Sequence, residues 1–325
     1  MANTTLADYT VAADDSSAAN KAKADATCTG TDDHVDINTA IDTVSAAGGG
    51  YVYCFPGGYD IAGAIIPKDN VYLWCAPHAA HLTWSGAAGG YMISSSAAAL
   101  LARFGLDGFY LNVNDAAGAD ADMGIRLYAA QNCLFRNLTI DNCDGGDAFT
   151  FRTFTNQHFF GNDFENIVVN GALRGMYSQG VSATEYVQGN YFRNIRLVNI
   201  GGHGVDFQHY TRLNRFYGLE IDLTAENAVA FKMGILAGAV YNYANQVHGM
   251  FVDATGLTAA ECLKLLYTKQ TFIADLYHLP TDWPGTFLTD TGSNSYFVFD
   301  SLYELSQNNM RMRGKGVSWQ FAAGV

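Results

Sequence analysis

A segment of the form Asn-x-Phe-x-Asn/Gly-Ile-x-Ile returns along the middle of this chain at a near-constant interval. It reads Asn162-Asp-Phe-Glu-Asn166-Ile-Val-Val169, Asn190-Tyr-Phe-Arg-Asn194-Ile-Arg-Leu197, Asn214-Arg-Phe-Tyr-Gly218-Leu-Glu-Ile221 and Asn245-Gln-Val-His-Gly249-Met-Phe-Val252. A degenerate copy, Cys133-Leu-Phe-Arg-Asn137-Leu-Thr-Ile140, precedes them, and Gly108-Phe-Tyr-Leu111 and Asp275-Leu-Tyr-His278 fit more loosely. The anchors at 108, 137, 166, 194, 218, 249 and 275 are 29, 29, 28, 24, 31 and 26 residues apart. That interval is too long for a heptad, and the alternation inside each copy has the two-residue period of a strand. The chain is therefore expected to be all-β, a parallel β-helix in which each copy lines one turn of a solenoid. A sandwich of evenly spaced strands would need no such fixed grammar.

The first Asn and the anchoring Asn or Gly of each copy are expected at bends, where left-handed backbone is tolerated, with Phe164, Phe192 and Phe216 stacked inside. A second strand follows each anchor: Ala148-Phe149-Thr150, Met176-Tyr177-Ser178, Val205-Asp206-Phe207 and Val229-Ala230-Phe231. Upstream, Thr31-Asp32-Asp33 opens a helix over about 32–46, with Ile37, Ile41 and Val44 on one face and Gly48-Gly49-Gly50 ending it. Its expected task is to cap the open end of the solenoid. The domain reading is a lead at 1–27, a β-helix over 28–305 and a tail at 306–325.

Composition fits one elongated domain: 49% hydrophobic residues, 15% charged, 34 glycines against 5 prolines. That supplies a core and many tight turns. A net charge of −13 opposes a sequence-independent grip on nucleic acid. Residues 124–222 differ, with eight arginines, no lysine and nine acids, so this stretch could face an anionic ligand. The longest small-and-apolar run, 97–102, is far short of the roughly 20 residues that span a bilayer. The amino terminus has no basic and apolar leader, so no signal peptide is expected. The six cysteines lack metal-ligand or secreted-scaffold spacing and are expected as buried free thiols, with Cys54 and Cys75 inward on neighbouring coils. Neither metal nor cofactor is expected.

Residues 25–61, with Gly30-Thr31-Asp32-Asp33, the triple glycine and Pro56-Gly57-Gly58-Tyr59, resemble the amino-terminal entry of the pectate-lyase-like superfamily of right-handed parallel β-helices. The run Val11-Ala-Ala-Asp14-Asp15-Ser-Ser17 leading into Ala24-Asp25-Ala26-Thr27-Cys28 is similar to β-helix proteins of bacteriophage virions. That resemblance implies a tailspike, fibre or surface-decoration protein, a homotrimer among other virion proteins, found in the virion and released by lysis, that binds or cuts host polysaccharide.

In such a solenoid, equivalent side chains of successive coils stack about 4.8 Å apart. Counting from the anchors puts Gly146, Arg174 and His203 at one height and Asp147, Gly175 and Gly204 at the next, with Phe149, Tyr177 and Asp206 pointing outward and Glu226 and Asn227 flanking the next coil. This strip joins carboxylates for acid/base work to rings for stacking. The expected catalytic residues are Asp147, His203, Asp206 and Glu226, and the expected substrate-binding residues Phe149, Arg174, Tyr177 and Arg212. A lyase would draw on Asp206, Glu226 and Arg174 or Arg212. Gly202-His203-Gly204 resembles the Gly-His-Gly turn of polygalacturonases, although Arg174, Gly175 and Met176 stand where that family has paired aspartates and its Arg-x-Lys signature is absent.

The first functional expectation is a virion β-helix protein that binds host polysaccharide, with cleavage by a glycoside hydrolase or lyase left open. The second is a non-catalytic decoration protein of capsid or tail, favoured by the short stretch after Asp300. The third is a pectinolytic enzyme of cellular origin, which the missing leader opposes.

Overall fold

The Phe of four successive repeats is fully buried and each lies on the Phe of the next coil, up to Phe216. In the computed structural model, Phe135 and Phe164 stack at 5.0 Å and 9°, Phe164 and Phe192 at 4.9 Å and 10°, and Phe192 and Phe216 at 4.5 Å and 9°. Burying one such ring is worth roughly 2–3 kcal/mol, and each stack adds about 0.5–1.5 kcal/mol. The column therefore fixes both the register and the core of the solenoid. The structure describes residues 7–97, 99–114, 123–153, 157–179, 185–208, 210–234, 242–266, 268–279, 285–291, 294–299, 312–313 and 318–321.

Strands pair in parallel throughout, each coil with the coil before and after it, so the chain is the parallel β-helix expected. Three long sheets and one short ladder run along the axis. The first sheet passes from Gly50–Cys54 through Val71–Trp74 and Gly105–Asp107 to residues 134–136, 163–165, 191–193, 215–217 and 246–248. The second holds Gly57–Ile61, Ala80–Trp84, Tyr110–Asn112 and residues 138–141, 167–170 and 195–197. The third runs from Tyr91–Ser94 and Met123–Tyr128 through residues 147–152, 174–179 and 203–208 to Val229–Met233 and Glu261–Leu266. The short ladder holds Leu101–Ala102, Ala130–Gln131, Phe159–Phe160, Val187–Gln188, Thr211–Arg212 and Asn242–Tyr243.

The anchors adopt the left-handed backbone expected: φ is 52° at Asn137, 53° at Asn166, 52° at Asn194, 69° at Gly218 and 66° at Gly249. The first Asn of each copy does not. The left-handed residue there is the one before it, Gly161, Gly189, Leu213 or Ala244. Asn162, Asn190, Asn214 and Asn245 are instead fully buried, and each amide nitrogen donates to the next oxygen at 2.9, 2.9 and 3.1 Å. The same oxygens accept the backbone N–H of the preceding Asn. This internal ladder satisfies the polar groups that the bend strands in the core.

The helix His34–Ala46 buries Ile37, Ala40, Ile41 and Val44 and packs against strands Ala7–Ala12 and Gly50–Cys54. Asp33 stands at its N-cap position without capping it; its carboxylate accepts Gly30 N–H and Asp60 N–H, both at 2.9 Å, tying the entry to the next coil. Ala7–Ala12 pairs with Gly50–Cys54 and with Ala26–Thr27. Of the expected tail at 306–325, only 312–313 and 318–321 fall among the described residues, and the boundary at 305 lies outside them. All six cysteines are buried free thiols, as expected.

Candidate functional site

The third sheet carries the strip expected from the sequence, in a different register. Asp147 pairs with Arg174, Arg174 with His203 and His203 with Val229, while Thr150, Tyr177, Asp206, Lys232 and Lys264 form the next outward row. Counting from the anchors misses this by one at Asp147 because the ladder shifts between Cys143 and Asp147 and again between Ala172 and Arg174. Such bulges add residues to one strand without adding them to its partner.

Asp147 and Arg174 are locked together. Arg174 donates Nε to Oδ1 at 2.6 Å and Nη2 to Oδ2 at 3.0 Å, and Thr150 Oγ1 donates to Oδ2 at 2.9 Å. The guanidinium lies 3.8 Å from the centre of the Tyr177 ring. Burial works against the Arg174 charge, but the hydrogen bond and charge of Asp147 raise its pKa overall. Next to this pair, Asp206 Oδ2 accepts from Gln208 Nε2 at 2.8 Å and Lys232 Nζ at 3.2 Å. His203 Nε2 is 3.4 Å from Lys232 Nζ and 3.8 Å from that carboxylate oxygen. Burial pushes the His203 pKa down, with Lys232 and Arg174 acting in the same direction and Asp206 opposing, so the ring is neutral at pH 7. Buried, partnerless atoms remain at His203 Nδ1 and Asp206 Oδ1.

Of the expected site residues, five meet here: Asp147, Arg174, Tyr177, His203 and Asp206. Three do not. Phe149 is fully buried and packs edge-on to Phe164, because the true register turns it inward beside Met176. Glu226 is a loop clasp that accepts Thr258 N–H at 2.9 Å and Ala259 N–H at 2.7 Å, and the Thr258 backbone hydrogen bond holds its pKa low. Arg212 belongs to the short ladder, where it donates to Gln188 and Tyr243 at 2.5 Å and lies 3.5 Å over Tyr186. Sequence reasoning missed Thr150, Lys232 and Gln208. The strand-to-strand count that linked Asp206 to its neighbours already carried Lys232, one residue beyond Val229-Ala230-Phe231.

This constellation is poorly suited to two-carboxylate hydrolysis. Both Asp147 oxygens are consumed, and Asp206 lines up with Tyr177 and Thr150 rather than with Asp147, so the two carboxylate residues are two coils and three residues apart, a backbone separation of roughly 14 Å. A retaining pair needs about 5–5.5 Å and an inverting pair about 6.5–9.5 Å. The strip also lacks a free ring, with Phe149 in the core and Tyr177 only 7% exposed beneath Arg174. Among the described residues, one thiol-carboxylate group, Cys28 with Asp33 and Asp36, lies within ligand reach of itself; Asp33 spends its oxygens on backbone N–H groups.

Exposed rings occur instead on the outer face of the first sheet. Tyr51 is 44% and Trp74 37% exposed, and with Tyr53, Tyr72, Tyr9 and Asp8 they line a groove of about 650 Å³. Tyr51 meets Tyr72 at 5.6 Å and 66°, and Tyr53 meets Trp74 at 4.5 Å and 55°. Asp107 closes the groove: its Oδ2 accepts Tyr72 OH at 2.9 Å and Arg136 Nε at 2.8 Å. Burial and the Asp107 hydrogen bond push the Tyr72 phenol up to about 12. The signal was present in Tyr51-Val52-Tyr53-Cys54 and Tyr72-Leu73-Trp74-Cys75, whose inward thiols imply outward rings.

No family model matches this chain, and no curated protein matches it in sequence. Solved structures do. Full-length tailspike protein 2 from Escherichia coli O157:H7 bacteriophage CAB120 is similar over 88% of this chain and 40% of its own, at 10% identity and a TM-score of 0.56. The enzymatically active domain of the bacteriophage CBA120 tailspike protein 2 is similar over 89% and 43%, at 10% identity and 0.53. PfbA, a surface adhesin of Streptococcus pneumoniae, is similar over 89% and 86%, at 11% identity and 0.50. At these identities the likeness is one of fold, the parallel β-helix implied by the pectate-lyase-like resemblance. Among the described residues no helix is long and apolar enough to cross a membrane.

Proposed function

We propose that this chain is a polysaccharide-binding β-helix protein of a virion, tailspike- or fibre-like, that holds a host glycan in the aromatic groove of the first sheet. The observation that carries the reading is the exposure of Tyr51 and Trp74 on a platform fixed by ring contacts and by the Tyr72–Asp107 hydrogen bond. Sugar rings lay their C–H faces on such rings and their hydroxyls against polar groups at the edge; here Asp8 and Thr10 supply the edge. The fold shared with phage tailspikes and a bacterial surface adhesin supports the same reading. The third-sheet network of Asp147, Arg174, Tyr177, His203 and Asp206 serves this proposal as a rigid polar seam rather than as a hydrolytic centre.

Isothermal titration against a panel of neutral and acidic polysaccharides tests it. Binding that falls at least tenfold in Trp74→Ala and Tyr51→Ala supports the reading; absence of binding across the panel removes it. Reducing-sugar release or absorbance near 235 nm from the same panel would overturn the non-cleaving part. The proposal extends to a homotrimer joined to other virion proteins, and a chain that stays monomeric at high concentration by mass measurement would count against that extension.

A further inference from the structure

We infer a second carbohydrate subsite, a groove of about 620 Å³ floored by the turn column Asn137, Asn166, Asn194, Gly218 and Gly249, that takes the continuation of the glycan held by the aromatic groove. The inference rests on the carbohydrate reading of the first groove and names how far along the solenoid the ligand runs. Both grooves fall within the ~300–1,000 Å³ typical of small-molecule sites, room for a few sugar units each.

Continuity comes first. Arg136 lines the aromatic groove and Asn137, the next residue, lines the second. Asp107 joins them, accepting Arg136 Nε on one oxygen and Asn137 Nδ2 on the other, both at 2.8 Å. A ligand leaving the first groove at Asp107 meets the second around one corner of the coil.

The polarity of the floor comes next. Asn137 donates to Asp107, Asn166 Nδ2 donates to Asn137 Oδ1 at 3.2 Å, and Asn194 Nδ2 donates to Asn166 Oδ1 at 3.0 Å. All three amides point the same way, so each polarises the next. The series stops at Asn194 because the following coil has Gly218, which carries no amide. Asn194 Oδ1 lies 3.2 Å from where a Cβ on Gly218 would sit, and nothing but Gly218 backbone lies within 4 Å of that position on Gly249. A chain of hydrogen bonds thus ends in an acceptor above two bare coils, a position suited to a sugar hydroxyl.

Charge selects the class. Arg196 Nε and Glu220 Oε1 neutralise each other at 2.9 Å on the groove wall, as Arg136 and Asp107 do in the first groove, leaving Asp8 as an exposed acid. Neither groove offers an uncompensated cation, so the ligand is an uncharged glycan. Phe251 closes the far end.

The solenoid supplies its own test. Asn occupies the left-handed position on three preceding coils, so Gly218→Asn and Gly249→Asn place there the residue that bears this backbone at small cost, extend the column, consume the Asn194 acceptor and fill the groove. The probes are laminarin-, dextran- and O-chain-derived oligosaccharides graded from about two to about eight sugar units, measured by titration calorimetry. Linking two subsites raises the affinity of ligands long enough to reach both, so wild type should gain at least about tenfold between the shortest and longest binders. The double Asn variant should lose that gain, keep wild-type affinity for the shortest binders and keep its thermal midpoint. Tyr217, half-exposed on the outer face of the first sheet and stacked on His248, marks the alternative path: a gain that survives in the double variant, or that disappears in Tyr217→Ala instead, overturns the second groove and sends the glycan straight along the first sheet. Preference for alginate or polygalacturonate fragments overturns the uncharged class while leaving the aromatic groove in place. Failure to bind at every length overturns both readings.

Discussion

Gly105 lies directly beneath the ring of Tyr72, so that a Cβ on Gly105 would come within 1.9 Å of the ring's Cδ2 atom. The two residues are paired across adjacent coils, and the missing side chain lets the phenol reach Asp107 and complete the platform. Gly105→Ala is expected to swing the ring away, break that hydrogen bond and lower glycan affinity at least tenfold, at a stability cost of about 1–3 kcal/mol for overpacking. Titration of the phenol by ultraviolet absorbance checks the cause: Tyr72 should leave its position near about 12 and move down toward ordinary tyrosine. A variant with unchanged titration and affinity would refute the platform.

The internal Asn ladder should be costly to interrupt. Asn190 accepts two N–H groups from Asn162 and donates to Asn214, all within the core. Replacing it with Leu leaves the Asn162 backbone N–H and one of its two side-chain N–H bonds unpaired, the other still reaching Ala130 O, and a buried orphan costs about 1–3 kcal/mol. A loss of about 3 kcal/mol in urea denaturation is expected, against under 1 kcal/mol for the exposed Asn194→Ala. Equal losses would mean that the ladder is decorative.

Arg174 and Asp147 should depend on each other. Asp147 has 3% of its side chain exposed and Arg174 28%. Arg174→Ala strands a buried carboxylate, for which about 3 kcal/mol is the usual order. Adding Asp147→Ala removes the stranded charge, so the double variant should be more stable than Arg174→Ala alone. If the two losses simply add, the pair is not coupled.

Acid should unlock the seam at His203. Its folded pKa lies below the ordinary 6.5, so the unfolded chain binds the proton more tightly and stability is lost as pH falls below about 6.5. Above that value the contribution is complete. His203→Gln should flatten the slope of stability against pH between about 7 and 5, measured by chemical denaturation; an unaltered slope would assign the pH response elsewhere.

The solenoid was legible because its strongest determinants are local and repeated: the Phe of each copy, the left-handed anchor and the alternation around it. The site was only partly legible. Anchors fix the first two sheets, but the third sheet begins after bulges whose size differs from coil to coil, so counting forward turned Phe149 outward when it belongs to the core. Register places Glu226 beside the next coil, and the lyase reading takes Arg212 as an alternative to Arg174, whereas the corner that each occupies depends on how many residues each turn consumes. Tyr51, Tyr53, Tyr72 and Trp74 were readable in principle, since inward Cys54 and Cys75 on the same strands oblige their neighbours to face out.

Coil length varies at one corner of the solenoid. From Gln208 the short ladder is reached at Thr211, but from Met233 only at Asn242 and from Gln179 at Val187. The passage from the third sheet to the short ladder therefore varies in length, while from residue 134 onward the passage from first sheet to second stays at one left-handed residue. Neither groove is lined by a residue of that corner, so a protein engineer would place a peptide tag, a reporter loop or a foreign epitope there first.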